Sequence, residues 1–120
     1  MCKAKIHRAT VTEAKLAYTG SITIDTALLE AANILPFEMV QVTNVSNATL
    51  WHTYAIPAPE GSGTICLNGP PARLFQPGDE VIILSKCWMT DEEILTLQPK
   101  VIFVDEHNQI ISITSHQPII

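Results

Sequence analysis

The chain has 120 residues, 47% of them hydrophobic and 16% charged, with a formal net charge of −5. That length and apolar content predict one globular domain over residues 1–120 that needs no staples, and the acidic balance excludes a nucleic-acid groove as its main business. No apolar run approaches a membrane span, and Cys2, Cys66 and Cys87 form no C-x-x-C pair, which points away from a membrane anchor, a zinc knuckle and a disulfide framework and towards a reducing cytoplasm.

Residues 2–9 alternate, with Lys3, Lys5 and His7 on one face and Ala4 and Ile6 on the other, which predicts a strand. Four of the seven basic residues, Lys3, Lys5, Arg8 and Lys15, lie in the first fifteen positions; they read as solvated charge on an edge strand or as an anion site. Residues 13–17, Glu-Ala-Lys-Leu-Ala, predict a helical turn. Tyr18 to Ile24 is rich in β-branched residues and broken by Gly20-Ser21, a pair that by itself reads as a turn. Asp25 is the expected N-cap of a helix over residues 26–32 that Asn33 stops.

Met39–Asn44 and Leu50–Ile56 read as strands of one hairpin, ended by Pro57 and Pro59, which cannot donate to a ladder. A short strand follows over Thr64–Leu67, then a stiff loop, Asn68-Gly69-Pro70-Pro71. The turn Gln76-Pro77-Gly78-Asp79 feeds an apolar strand over Glu80–Ser85, and Thr90-Asp91-Glu92-Glu93 is a capping box for a short helix. Val101–Val104 and Ile110–Thr114 flank the turn Glu106–Gln109 as a closing hairpin. Seven or eight short strands with two or three short helices favour a small barrel or sandwich.

Neither a G-x-G-x-x-G, a P-loop nor an H-E-x-x-H is present, and His7, His52, His107 and His116 show no i,i+4 pair. Neither a metal nor a bound cofactor such as PLP is expected. An enzyme built on this chain must draw its electrophile or nucleophile from its own side chains.

Tyr18-Thr19-Gly20-Ser21-Ile22-Thr23-Ile24-Asp25 resembles the processing segment of the pyruvoyl-dependent aspartate 1-decarboxylases. Other segments match in the same order: Lys5-Ile6-His7-Arg8, Asn44-Val45-Ser46-Asn47, Thr53-Tyr54-Ala55-Ile56, Asn68-Gly69, Pro77-Gly78-Asp79-Glu80-Val81-Ile82-Ile83 and Met89-Thr90-Asp91-Glu92-Glu93. The resemblance covers nearly the whole chain. It implies a mainly β fold, a small double-psi β-barrel, assembled as a tetramer of four α and four β chains. It also implies self-cleavage between Gly20 and Ser21, giving a β-chain of residues 1–20 and an α-chain from position 21 that carries a covalent pyruvoyl group.

On this resemblance Ser21 is the pyruvoyl precursor that forms a Schiff base with a small amino-acid substrate, and Thr53 assists processing and contacts substrate. Tyr54 is the proton donor. Its unperturbed pKa, about 10, keeps the proton available at neutral pH. Lys5, His7, Tyr18, Asn68, Gly69, Pro70 and Pro71 line the substrate site, with Arg8 a further candidate. The activity implied is decarboxylation of L-aspartate to β-alanine for pantothenate synthesis, with an accessory maturation factor as an open requirement.

Two positions depart from the family pattern. Leu50 stands where an arginine usually holds a carboxylate, and Pro70-Pro71 replace small residues whose N–H groups contact substrate. Arg73, Lys5 and Arg8 are the cations available as substitutes. These departures leave two alternatives standing: a pyruvoyl-dependent decarboxylase of a less acidic amino acid, and an unprocessed, non-catalytic barrel.

Overall fold

Burial follows the alternation read at the start of the chain. Strand β1, Cys2–Thr10, buries Ala4 and Ile6 and leaves Lys3, Lys5 and His7 partly exposed. It is no edge strand: it pairs antiparallel with β7 (Glu80–Lys86) and parallel with β8 (Lys100–Val104). The β7 register slips between Ile6 and Ala9, where Arg8 has φ 60°, so β1 carries a bulge that re-aims His7 and Arg8. The computed structural model that shows this describes residues 1–116.

Residues 13–15 are a strand, β2 (Glu13–Lys15), and not the helical turn their composition suggested. Three residues carry little intrinsic preference, and the parallel ladder to β6 (Ile65–Asn68) decides their conformation. Strand β3, Ser21–Asp25, is sandwiched between β6, antiparallel, and β5 (Leu50–Ala58), parallel. Its central position explains why Ser21, Ile22, Ile24 and Asp25 are all buried.

Asp25 caps helix α1, Thr26–Ala32, by accepting from the Ala27 N–H at 2.8 Å, and Asn33 ends it in the left-handed conformation at φ 55°. The Asp25 carboxylate also accepts from the N–H groups of Gly61 (2.9 Å) and Gly63 (2.8 Å), so its burial leaves no charge unsatisfied and ties the loop after β5 to the helix. Strands β4 (Met39–Asn44) and β5 form the expected antiparallel hairpin. β5 runs through Pro57 to Ala58, because β4 stops pairing at Tyr54 and the missing proline N–H meets no ladder on that side.

Pro70–Arg73 is a 3-10 helix, in place of the loop expected there. Its prolines open the first turn, where an N–H has no intrahelical partner to lose. Helix α2, Asp91–Ile94, starts with the predicted Thr90–Glu93 capping box, and β8 and β9 (Ile110–Ser115) close as an antiparallel hairpin.

The described strands form one sheet of order β2-β6-β3-β5-β4-β7-β1-β8-β9. The ladder is open at its ends, but residues 2–15 link its two sides. β1 lies against β7, the Thr12 N–H donates to the Ile65 carbonyl at 2.8 Å, and β2 then lies against β6. The sheet therefore curls in the manner of a small barrel around Ile6, Ile22, Ile24, Leu67, Phe75 and Ile83, all fully buried. Asn108 pins the curl: its amide donates to the Thr10 and Gly63 carbonyls, each at 2.8 Å, and its Oδ1 accepts from the Thr10 N–H at 2.7 Å.

Candidate active site

Ser21 opens β3 directly after Gly20 and has no exposed surface. It pairs in register with Asn68 at the end of β6. The Asn68 amide donates from Nδ2 to Ser21 Oγ and to Thr23 Oγ1, both at 2.9 Å, while its Oδ1 accepts from Cys66 Sγ at 3.2 Å. Asn68 thus holds the serine hydroxyl from one side. Burial, reinforced by the charge of Glu13, pushes the Cys66 thiol up, so Cys66 acts here as a neutral hydrogen-bond donor.

The parallel pairing of Ile22 with Ala55 extends the geometry to β5. Carried back one residue, that register sets Ser21 beside Tyr54; carried back two, it sets Gly20 beside Thr53. Successive residues of a strand face opposite ways, so Tyr54 shares the Ser21 face and Thr53 lies on the other. Thr53 is buried, and its hydroxyl makes no hydrogen bond to the Gly20 carbonyl. The Tyr54 ring stacks on Phe37, with centroids 5.9 Å apart and planes 26° apart.

The segment before the serine, Leu16–Gly20, forms neither strand nor helix, and Tyr18 is half exposed. It is braced from below by Gly69. That residue has φ 79° and ψ −141°, and a Cβ there would lie 2.9 Å from Gly20 Cα and 3.0 Å from the Tyr18 carbonyl oxygen. Pro70 packs on the same spot: a Cβ on Gly20 would sit 3.8 Å from Pro70 Cδ. Pro70 therefore acts as packing against the Gly20 backbone, while Pro71 is buried within the 3-10 helix. Gly69→Ala is expected to cost about 1–3 kcal/mol from the backbone conformation alone and to displace Gly20. Urea denaturation and gel analysis of chain integrity check this; wild-type stability and wild-type chain pattern together contradict it.

The remaining sequence candidates lie elsewhere within the chain. Lys5 and His7 sit on β1, four strands from β3 in the sheet order. Arg8 is engaged by Glu80 through a short ion pair. Lys3 is held by Glu38 at 3.2 Å and by the Asn33 carbonyl. Leu50 is half exposed and stands four residues before Tyr54 on β5, roughly 13 Å along the strand. Arg73 ends the 3-10 helix. Thr23 and Cys66 belong to the Ser21 neighbourhood and were not read as site residues from the sequence; Lys15, noted there only within the N-terminal basic cluster, joins them through its register with Asn68.

His7 packs edge-on against Phe103 with centroids 5.6 Å apart, and its buried Nδ1 has no hydrogen-bond partner. Burial first, then the charges of Lys5 and Arg8, lower its pKa below the ordinary 6.5, against a partial opposite pull from Glu80. The folded chain therefore keeps His7 neutral while the unfolded chain takes up a proton. Stability from this group is present above pH 6.5 and is lost as the pH falls from there towards the depressed folded value. Thermal midpoints at pH 7.5 and 5.5 are expected to fall less in His7→Gln than in the parent chain; equal falls contradict this sign.

Fold and site together define a small, mainly β protein whose polar centre is a buried serine, directly after a partly exposed glycine, held by an asparagine. The sequence model for aspartate decarboxylase matches residues 1–111. The chain is 56% identical to the aspartate 1-decarboxylase of Caldicellulosiruptor saccharolyticus, over 96% of this chain and 90% of that one. It is 58% identical to that of Carboxydothermus hydrogenoformans, over 94% and 89%, and 59% identical to that of Thermoanaerobacter pseudethanolicus, over 91% and 93%. The chain belongs to the aspartate decarboxylase family.

Proposed function

We propose that this chain removes the α-carboxylate of L-aspartate, yielding β-alanine and CO2, and so serves pantothenate and coenzyme A synthesis. The observation that carries the reading is the buried Ser21 hydroxyl, held by Asn68 directly behind Gly20, in a chain of this family. The relatives' names favour aspartate over the less acidic substrate that Leu50 raised.

Maturation uses the chain's own atoms. Ser21 Oγ attacks the Gly20 carbonyl carbon, the peptide nitrogen leaves, and the amide becomes an ester. Elimination then frees the Gly20 carboxylate and leaves a dehydroalanine at position 21. That elimination separates residues 1–20 from residues 21–120, and addition of water with loss of ammonia then converts the dehydroalanine to the pyruvoyl group. Gly20 gives the carbonyl an unhindered approach, and Thr53, which makes no hydrogen bond to it in the uncut chain, is assigned on the family resemblance to polarise it during cleavage.

The residues around position 21 fit that group: it would take the place of a serine that is wholly buried and already hydrogen-bonded by the Asn68 amide. When formed, it supplies an electron sink for the carbon that loses CO2. Tyr54 Oη holds the proton that carbon must regain, Asn68 orients the group at position 21, and Tyr18 and Thr23 shape the wall.

The working form is read as a cytoplasmic tetramer of processed protomers. Exposed apolar side chains support an assembly: Phe37, Met39 and Leu50 lie bare, as do Ile111 and Ile113 on the edge strand β9. Lys5 and His7, remote from Ser21 within one protomer, then act at the site of a neighbour. Three free thiols suit a reducing compartment, and none of the described helices is long and apolar enough to cross a membrane. CO2 release from a panel of amino acids tests the activity. Aspartate is expected to be the preferred substrate; preference for a neutral amino acid, or no turnover by a cleaved chain, overturns the reading.

A further inference from the structure

Aspartate brings two carboxylates to the site. One leaves as CO2, while the side-chain carboxylate stays and needs a counter-charge. A cavity of about 320 Å³ is lined by Glu13, Lys15, Tyr18, Thr23, Ile56 and Asn68 among others; Ser21, wholly buried, lies behind that lining and meets it through Asn68. Asn68 is the wall it shares with the serine, since the same amide that lines the cavity donates to Ser21 Oγ.

Register gives the spacing. Asn68 pairs with Ser21 on one side and with Lys15 on the other, so Ser21, Asn68 and Lys15 form one row across β3, β6 and β2. Adjacent strands lie about 4.8 Å apart, which puts the two outer backbones roughly 10 Å from each other. A lysine side chain and an aspartate attached through its amine at position 21 can span that gap together.

From this arrangement we infer that Lys15 binds the side-chain carboxylate of the substrate and sets the preference for an acidic amino acid. The inference rests on the decarboxylase reading above and assigns the cation of that site. Lys15 is the cationic residue in the cavity lining of the same chain; Lys5, read above as acting at a neighbour's site, would reach the substrate only from across that interface, and Lys3 is held by Glu38 and the Asn33 carbonyl. The present partner of Lys15 is Glu13, at 3.5 Å, and both side chains are about half exposed. Such a pair is held weakly and is readily exchanged for an incoming carboxylate. Glu13 remains in the lining as a like charge to the substrate, so it opposes binding where Lys15 favours it.

Both residues lie on an exposed three-residue strand, so substitutions there test charge without risk to the core. Lys15→Gln is expected to raise KM for aspartate by about ten-fold or more, the loss of one charge-assisted hydrogen bond, with chain cleavage unchanged and kcat nearly so. Lys15→Arg restores most of the affinity, and Glu13→Gln lowers KM. A second readout avoids turnover: titration of succinate, an unreactive dicarboxylate, into the uncut Ser21→Ala chain, with and without Lys15→Gln. Weaker succinate binding in the double variant supports the assignment. Equal binding in the two, no binding in either, or an unchanged KM in Lys15→Gln overturns it. A parent chain that cleaves but ignores aspartate instead sinks the underlying reading.

Discussion

Ser21→Ala is expected to leave residues 1–120 as one uncut polypeptide with no measurable decarboxylase activity. The substitution removes one oxygen from a fully buried position and adds no bulk. The Asn68 amide loses one acceptor but keeps Thr23 Oγ1 at 2.9 Å, so the strand pairing around it stands. The loss is therefore chemical: without Oγ no group is placed to attack the Gly20 carbonyl, and no carbonyl electrophile can arise at position 21. Gel electrophoresis should show the single band, a CO2-release assay the lost turnover, and circular dichroism the retained fold. A folded Ser21→Ala chain that still decarboxylates aspartate removes Ser21 from the mechanism.

Tyr54→Phe has the second-largest expected effect, and it separates maturation from turnover. The change deletes Oη alone. The ring keeps its stack on Phe37 at 5.9 Å and its place in the β4–β5 ladder opposite Met39. Cleavage between Gly20 and Ser21 should proceed, since it draws on Ser21, Gly20 and Thr53. The kcat for aspartate should fall by about 10²–10⁴-fold, the usual contribution of a positioned general acid, with KM little changed. Steady-state CO2 release from the cleaved variant measures this. A kcat within a few-fold of the parent assigns the proton to another group.

The parts of the fold legible in the sequence are those set by local chemistry. Alternation in residues 2–9 gave the inward face of Ala4 and Ile6. Asp25 and Asn33 bounded α1 through side-chain and left-handed capping, and Thr90 with Glu93 bounded α2. What escaped is non-local. Glu13–Lys15 is made of good helix formers, and only its ladder with β6 makes it a strand. The parallel pairings β3–β5, β2–β6 and β1–β8 join segments far apart in sequence, and no turn signal announces them. Pro70-Pro71 read as a loop because the pair stops ladders, whereas its fixed φ also suits the first turn of a 3-10 helix.

The same division holds for the site. Gly20, Ser21, Thr53, Tyr54 and Asn68 were named as site candidates through the family resemblance of their segments; the register sets Ser21 opposite Asn68 and runs β3 alongside β5, which carries Thr53 and Tyr54. Lys15 stood in the sequence only as one of four N-terminal basic residues, solvated charge or anion site, and the helical reading of its segment gave it no place beside Ser21. As part of a helical turn its position relative to Asn68 is undefined; as a strand residue it is the register partner of Asn68. The substitutes considered for the arginine missing at position 50 were judged on charge, and Arg8 drops out once its bond to Glu80 is seen.

The central claim is that the Gly20–Ser21 bond breaks and leaves a carbonyl group at position 21. Intact-mass measurement of the purified chain after prolonged incubation tests it most directly. The account predicts two species, residues 1–20 and residues 21–120, the larger one lighter by one ammonia than a fragment that begins with serine. A single uncut species, or a cut fragment that retains an N-terminal serine, contradicts it.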